Sequence, residues 1–133
     1  MSPMFNFDNV ELVHKQIILD LTIRTLERDR KHLADLKINR ALELWMEQKV
    51  KELQNDLRSV KAQLGKNGVK IQSENRVDKL ITEYVIIERG QNFERRYMNI
   101  ALRNWVDEEV KRLLGLEYRT TDDANWANKK ATQ

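Results

Sequence analysis

Three observations predict an all-α protein: helix-breaking residues are scarce, charges are dense and mixed, and apolar residues recur at steps of three and four. One Pro and four Gly stand among 133 residues, while 34% are charged and 41% hydrophobic. That balance favours helices with one apolar and one solvated face over sandwiches or unstructured chains. The length suffices for one domain whose core needs neither disulfides nor metals. We expect a single helical domain over 1–116, a bundle of two related helical hairpins. Its halves lie at about 9–64 and 73–114, joined by a turn at 65–72, and a polar C-terminal tail follows over 117–133.

Asp8 and Glu11 have the spacing of an N-cap and its capping-box partner, with Pro3 upstream, so the first helix begins near Asn9. From there to Leu64 no Gly or Pro intervenes. A continuous helix of that length would run roughly 80 Å, more than a compact monomer buries. Two solutions are open: a break around Glu27–His32, where the chain is polar all round, or one long helix serving an oligomer. We favour the break.

Beyond it, Met46, Val50, Leu53, Leu57, Val60 and Leu64 alternate steps of four and three, a short coiled-coil-like seam. Such a seam needs a helical partner inside or outside the chain. We take Val50, Leu53, Leu57, Val60 and Leu64 as a candidate protein interface.

The turn at Gly65-Lys66-Asn67-Gly68 has Gly65 capping the helix and Asn67-Gly68 tolerating positive φ. Val69 and Ile71 alternate with polar neighbours, enough for a very short extended segment. Ser73 then caps a helix whose Val77, Leu80, Ile81, Tyr84 and Val85 share a face, and Gly90 ends it. A last helix is predicted from about Gln91 to Leu114, with Met98, Ala101, Leu102, Trp105, Val110 and Leu113 inward and Gly115 just past its end. The tail is low in aliphatics, with Trp126 as the exception, a side chain suited to docking on the core or on a partner.

A shift of 60 residues aligns the stretch from Asn39 with that from Asn99, and seven of 15 positions are identical. They include Asn39/Asn99, Ala41/Ala101, Leu42/Leu102 and Trp45/Trp105. Shared amphipathic periodicity accounts for matched Leu and Val more readily than for matched Asn and Trp, so we read an internal duplication. In each half the alanine would let helices approach closely and the tryptophan would fill the space beside it.

The same stretches resemble the IDEAL-domain family of short helical segments in Bacillus-like bacteria, through Ile38, Ala41, Leu42, Val50 and Leu53, then Met98, Ala101, Leu102, Val110 and Leu113. The family's Asp after the first aliphatic residue is Asn39 or Asn99 here. The resemblance implies a bacterial cytoplasmic protein and carries over no catalytic residue.

Little in the sequence suggests chemistry. No Cys is present, which removes thiolate metal sites and cysteine nucleophiles. Glu11/His14 and Asp29/His32 each have the E-x-x-H type of spacing found in di-metal bundles, but the histidines stand about 27 Å apart on a straight helix. Ser2, Ser59 and Ser73 sit in a terminus, on a charged helix and at an N-cap, and no phosphate-binding glycine loop occurs. We expect no enzyme, no cofactor and no metal.

The charge of +3 comes from 24 basic and 21 acidic residues, interleaved as on solvated helix faces. Arg24, Arg28 and Lys31 form a basic stripe at steps of four and three, the candidate nucleic-acid contact. No apolar run approaches the roughly 18 residues of a membrane span and the start lacks a signal-peptide pattern, so a cytoplasmic location is expected. The expectation is a non-enzymatic helical interaction module whose partner is itself, as a homodimer or small oligomer, or another helical protein. The alternative is a regulatory protein that binds nucleic acid through the basic stripe.

Overall fold

The computed structural model describes residues 7–119. The fold is α+β, not the expected all-α helical bundle. Helix α1 (Phe7–Arg30) is followed by a 3-10 turn (Leu33–Asp35) and helix α2 (Asn39–Lys66). Strands β1 (Val69–Arg76), β2 (Ile81–Glu88) and β3 (Gln91–Met98) come next, then helix α3 (Asn99–Leu113). The chain therefore breaks after Arg30, and α1 and α2 fold back as an antiparallel hairpin. Arg30 reaches Glu43 and Glu47 at 3.7 Å at the closed end. Asn67 donates to Asn9 at 2.9 Å at the open end.

Helix α1 is the centre of the molecule. Ile17, Ile18 and Leu19 are consecutive and all buried, although neighbours on a helix project about 100° apart. Burial on so wide an arc requires cover on several sides, and α2, α3 and the sheet supply it. Val13, Thr22, Ile23 and Leu26 complete its buried surface, against Leu53, Leu64, Ile86 and Leu102 from the other elements.

The sheet is an antiparallel meander in the order β1-β2-β3. Along β2, Thr82, Tyr84 and Ile86 are buried while Ile81, Glu83, Val85 and Ile87 are half-buried, the period of two that marks a strand with unequal faces. This corrects the helix expected over Ser73–Gly90. The residues Ile81 to Ile87 satisfy both periodicities over so short a run, and their β-branched and aromatic side chains favour the pleated surface. Gly90 does not end a helix. With Arg89 at φ 50° and Gly90 at φ 82°, it forms a two-residue hairpin turn with both central residues in the left-handed region, whose twist matches the flanking strands.

The last helix accordingly starts at Asn99 rather than near Gln91, because Gln91–Met98 pairs with β2 from Ile81↔Met98 to Glu88↔Gln91. It ends at Leu113, with Gly115 at φ 77° just beyond. At the end of α2 the residue with positive φ is Gly68, at 74°, not Gly65, which lies within the helix.

The two halves are thus not a pair of related helical hairpins: one is a helical hairpin, the other a meander plus a helix. The likeness is confined to the helices that open at Asn39 and Asn99, where Asn39 ties down the loop before it and Asn99 the turn between β1 and β2. Asn39 Nδ2 donates to the Ala34 carbonyl at 3.2 Å. Asn99 Nδ2 donates to the carbonyls of Asp78 and Lys79, while its Oδ1 accepts from Thr82 Oγ1 at 2.6 Å.

Candidate interaction groove

Helices α2 and α3 both pack on α1 and scarcely touch each other. Between them lies an open groove of about 910 Å³. Its floor is the second half of α1, with Leu21, Thr25 and Leu26. One wall is the start of α2, with Leu42, Trp45 and Met46, and the other is α3, with Leu102, Val106 and Val110. The sheet closes one end with Thr82 and Tyr84.

Tyr84 is 2% exposed, and its hydroxyl has no hydrogen-bond partner among the described residues. Burial, then the nearby Glu74 carboxylate, pushes the phenol well above its ordinary range, so it remains a neutral donor. Arg28 and Arg103 line the groove and make no ion pair among the described residues; Asp29 and Asp107 likewise.

The expected site residues fall in two places, the α2 face against α1 and the far end of α1. Val50, Leu53, Val60 and Leu64 are buried and Leu57 is half-buried, all on the face of α2 that meets α1. The seam is therefore covered within the chain, by a helix that also shelters the sheet. Arg24 is held between Asp20 at 2.9 Å and Glu74 at 2.8 Å. Burial tends to lower its pKa, but the Glu74 hydrogen bond and the Asp20 and Glu74 charges raise it overall, and its charge is locally neutralised. Arg28 faces the groove, and Lys31 stands in the turn after α1. Arg24 and Arg28 both line the groove, one helical turn apart on α1.

Ala41 is exposed, so no helix approaches it closely. Trp45 and Trp105 are half-buried and line separate hollows, Trp45 the groove and Trp105 a cavity of about 330 Å³ on the other side of α3. Both pack against the buried core with one side, and their half-burial depends on which helices fail to meet. Trp126 lies outside the described residues.

His14 sits at the wall of the smaller cavity, 7% exposed. The Tyr97 hydroxyl is 3.3 Å from Nδ1, the Tyr97 ring stacks on the imidazole, and Trp105 meets it edge-on. Nε2 is buried without a partner among the described residues. Burial first, and the Arg95 charge second, lower the imidazole pKa from 6.5 to about 4. His32 is exposed beyond the end of α1, so the two histidines do not share a site. Among the described residues, no group of three or more His, Asp or Glu side chains is placed to hold a metal ion. No described helix is long and apolar enough to cross a membrane.

Residues 4–118 match the family model described as YhjD protein. The chain belongs to the YhjD protein family. No curated protein and no solved structure matches it at a significant level. The YhjD match overturns the expected likeness to the IDEAL-domain family, since one continuous family model spans both 38–53 and 98–113. What those two stretches share is the opening of an amphipathic helix at Asn39 and Asn99, a pattern too short and too general to mark a family.

Proposed function

We propose that this protein is a non-catalytic interaction module of the cytoplasm, which receives an amphipathic helix of a partner protein in the α1–α2–α3 groove and also self-associates. The observation that carries the reading is the groove itself, lined by Leu21, Leu26, Leu42, Trp45, Met46 and Val110 among charged residues, between two helices that lean apart. A helix laid there would complete a four-helix arrangement and cover Leu42, Trp45, Met46 and Val110. Arg28 and Arg103, balanced by Asp29 and Asp107, give the groove sides of mixed charge, suited to polar residues of both signs beside the partner's apolar stripe. A solvent-exposed apolar hollow of this kind is a recurrent mark of partner binding.

The test is photo-crosslinking in the protein's own cells from a reactive residue at Leu42, in the groove, and from one at Gln54, on the exposed face of α2. The expected product from Leu42 is a defined partner peptide with apolar residues at steps of three and four. No product, or the same products from both positions, would refute the groove as the binding site.

A further inference from the structure

The reading of this protein as a self-associating module leaves open which surface meets the second copy, now that the α2 seam is covered within the chain. An apolar corner at one end of the sheet stands out. Val77 and Leu80, in the turn between β1 and β2, are 54% and 66% exposed. Met98 and Ile100, where β3 passes into α3, are each 58% exposed.

The four belong to one rigid frame. Asp78 Oδ1 accepts from the backbone N–H groups of Leu80 at 2.7 Å and Ile81 at 2.9 Å. Val77 N–H donates to the Ile81 carbonyl at 3.0 Å, and Asn99 N–H donates to the Leu80 carbonyl at 2.7 Å. Large apolar side chains are thus held in solvent by a hydrogen-bonded turn. Such preorganisation lowers the entropic cost of binding.

The corner continues onto the face of the sheet turned away from α1. Ile81 pairs with Met98 across the strands, and Glu83, Val85 and Ile87 follow at period two along β2, the Glu83 carboxylate being neutralised by Arg96 on β3. The charges within and beside this stripe are balanced: Lys70, Lys79 and Arg96 against Asp78, Glu83 and Glu94, with Arg96 bonded to Glu83 at 2.8 Å. An anionic membrane surface would call for an excess of cations here. A balanced rim is compatible with a second copy of itself.

We propose that this face is the self-association surface, two copies packing sheet to sheet about a two-fold axis that runs along β2. That axis lays β1 of one copy over β3 of the other. It sets Val77 against the second copy's Met98 and Ile100, brings the β2 stripes together, and places Lys70 within reach of the second copy's Glu94. Three strands of eight residues present roughly 400 Å² of flat face per copy. With the corner added, the contact lies at the low end of specific interfaces, which corresponds to a dimer of micromolar affinity.

Sedimentation equilibrium from low to high micromolar protein tests the proposal, with circular dichroism to confirm that each variant folds. Wild type should dimerise. Leu80→Asp should weaken association about tenfold. Lys70→Glu should weaken it about threefold, and adding Glu94→Lys should restore it. A monomer throughout, or association unmoved by Leu80→Asp, overturns the interface; a charge swap that fails to restore association overturns the placement of β1 over β3. Crosslinking from Leu42 should be unchanged by Leu80→Asp, so failure here is distinct from failure of the groove.

Discussion

His14 makes the stability of this protein depend on pH in a calculable way. In the unfolded chain its imidazole takes a proton near pH 6.5, whereas in the fold burial and Arg95 hold the pKa at about 4. Above pH 6.5 the ring is neutral in both states and adds no slope. Between 6.5 and 4 the unfolded chain binds a proton that the folded one does not, so stability falls as pH falls. Below 4 both states carry it and the loss is complete. At about 1.4 kcal/mol per pH unit the full loss is about 3 kcal/mol, of which about 2 kcal/mol is already gone by pH 5. Urea unfolding at pH 7 and pH 5 should therefore show wild type losing about 2 kcal/mol more than His14→Gln, the variant cancelling the shared contribution of the carboxylates. The His14 ring protons should titrate near pH 4 by NMR. Equal losses in both proteins, or titration near 6.5, would refute the burial argument.

Leu53, fully buried between α2 and α1, should cost about 3 to 5 kcal/mol as Leu53→Ala, measured by urea unfolding, while the exposed Leu44→Ala should change stability by less than about 0.5 kcal/mol. Gly90→Ala should destabilise by about 1 kcal/mol, because φ is 82° there and nothing lies near the added Cβ, so the cost is conformational alone. Gly65→Ala, within α2 and equally uncrowded, should instead stabilise by up to about 1 kcal/mol; opposite signs in thermal melts check the pair. Fluorescence anisotropy with mixed-sequence duplex DNA should show weak binding at physiological salt, since Asp20 and Glu74 already occupy Arg24. Tight binding abolished by Arg28→Gln with Lys31→Gln would reverse that expectation.

Much of the helical half was legible in the sequence. The polar segment after Leu26 does break the chain, and the α2 apolar residues at steps of four and three do form one buried face. The sheet was not legible, for reasons visible in particular residues. Ile81 to Ile87 fits a helical face and a strand equally well, and the Arg89-Gly90 turn lacks the Asn-Gly or Asp-Gly pair that flags a hairpin. In β3 the charged Glu94-Arg95-Arg96 run masks the alternation of Phe93, Arg95 and Tyr97 on the inner side. The groove was beyond reach for another reason: it exists because α2 and α3 diverge, which no local pattern encodes. Arg24 shows the same limit, since Asp20 is one helical turn away but Glu74 lies 50 residues on.

The position of α1 at the centre of the molecule has a consequence for synthesis. The helix on which α2, α3 and the sheet pack is also the first of the described elements to leave the ribosome. Its buried residues from Val13 to Leu26 have no complete shelter until α3, ending at Leu113, has followed. At about 5–20 residues per second, the intervening chain takes roughly 4 to 17 seconds to appear. During that interval an apolar helix stands partly bare, covered first by α2 and then by the sheet, with the side that α3 will take still open. The nascent chain is therefore most open to aggregation, and to capture by chaperones, before its last helix is made, and a truncation that removes α3 should leave the protein in that exposed state.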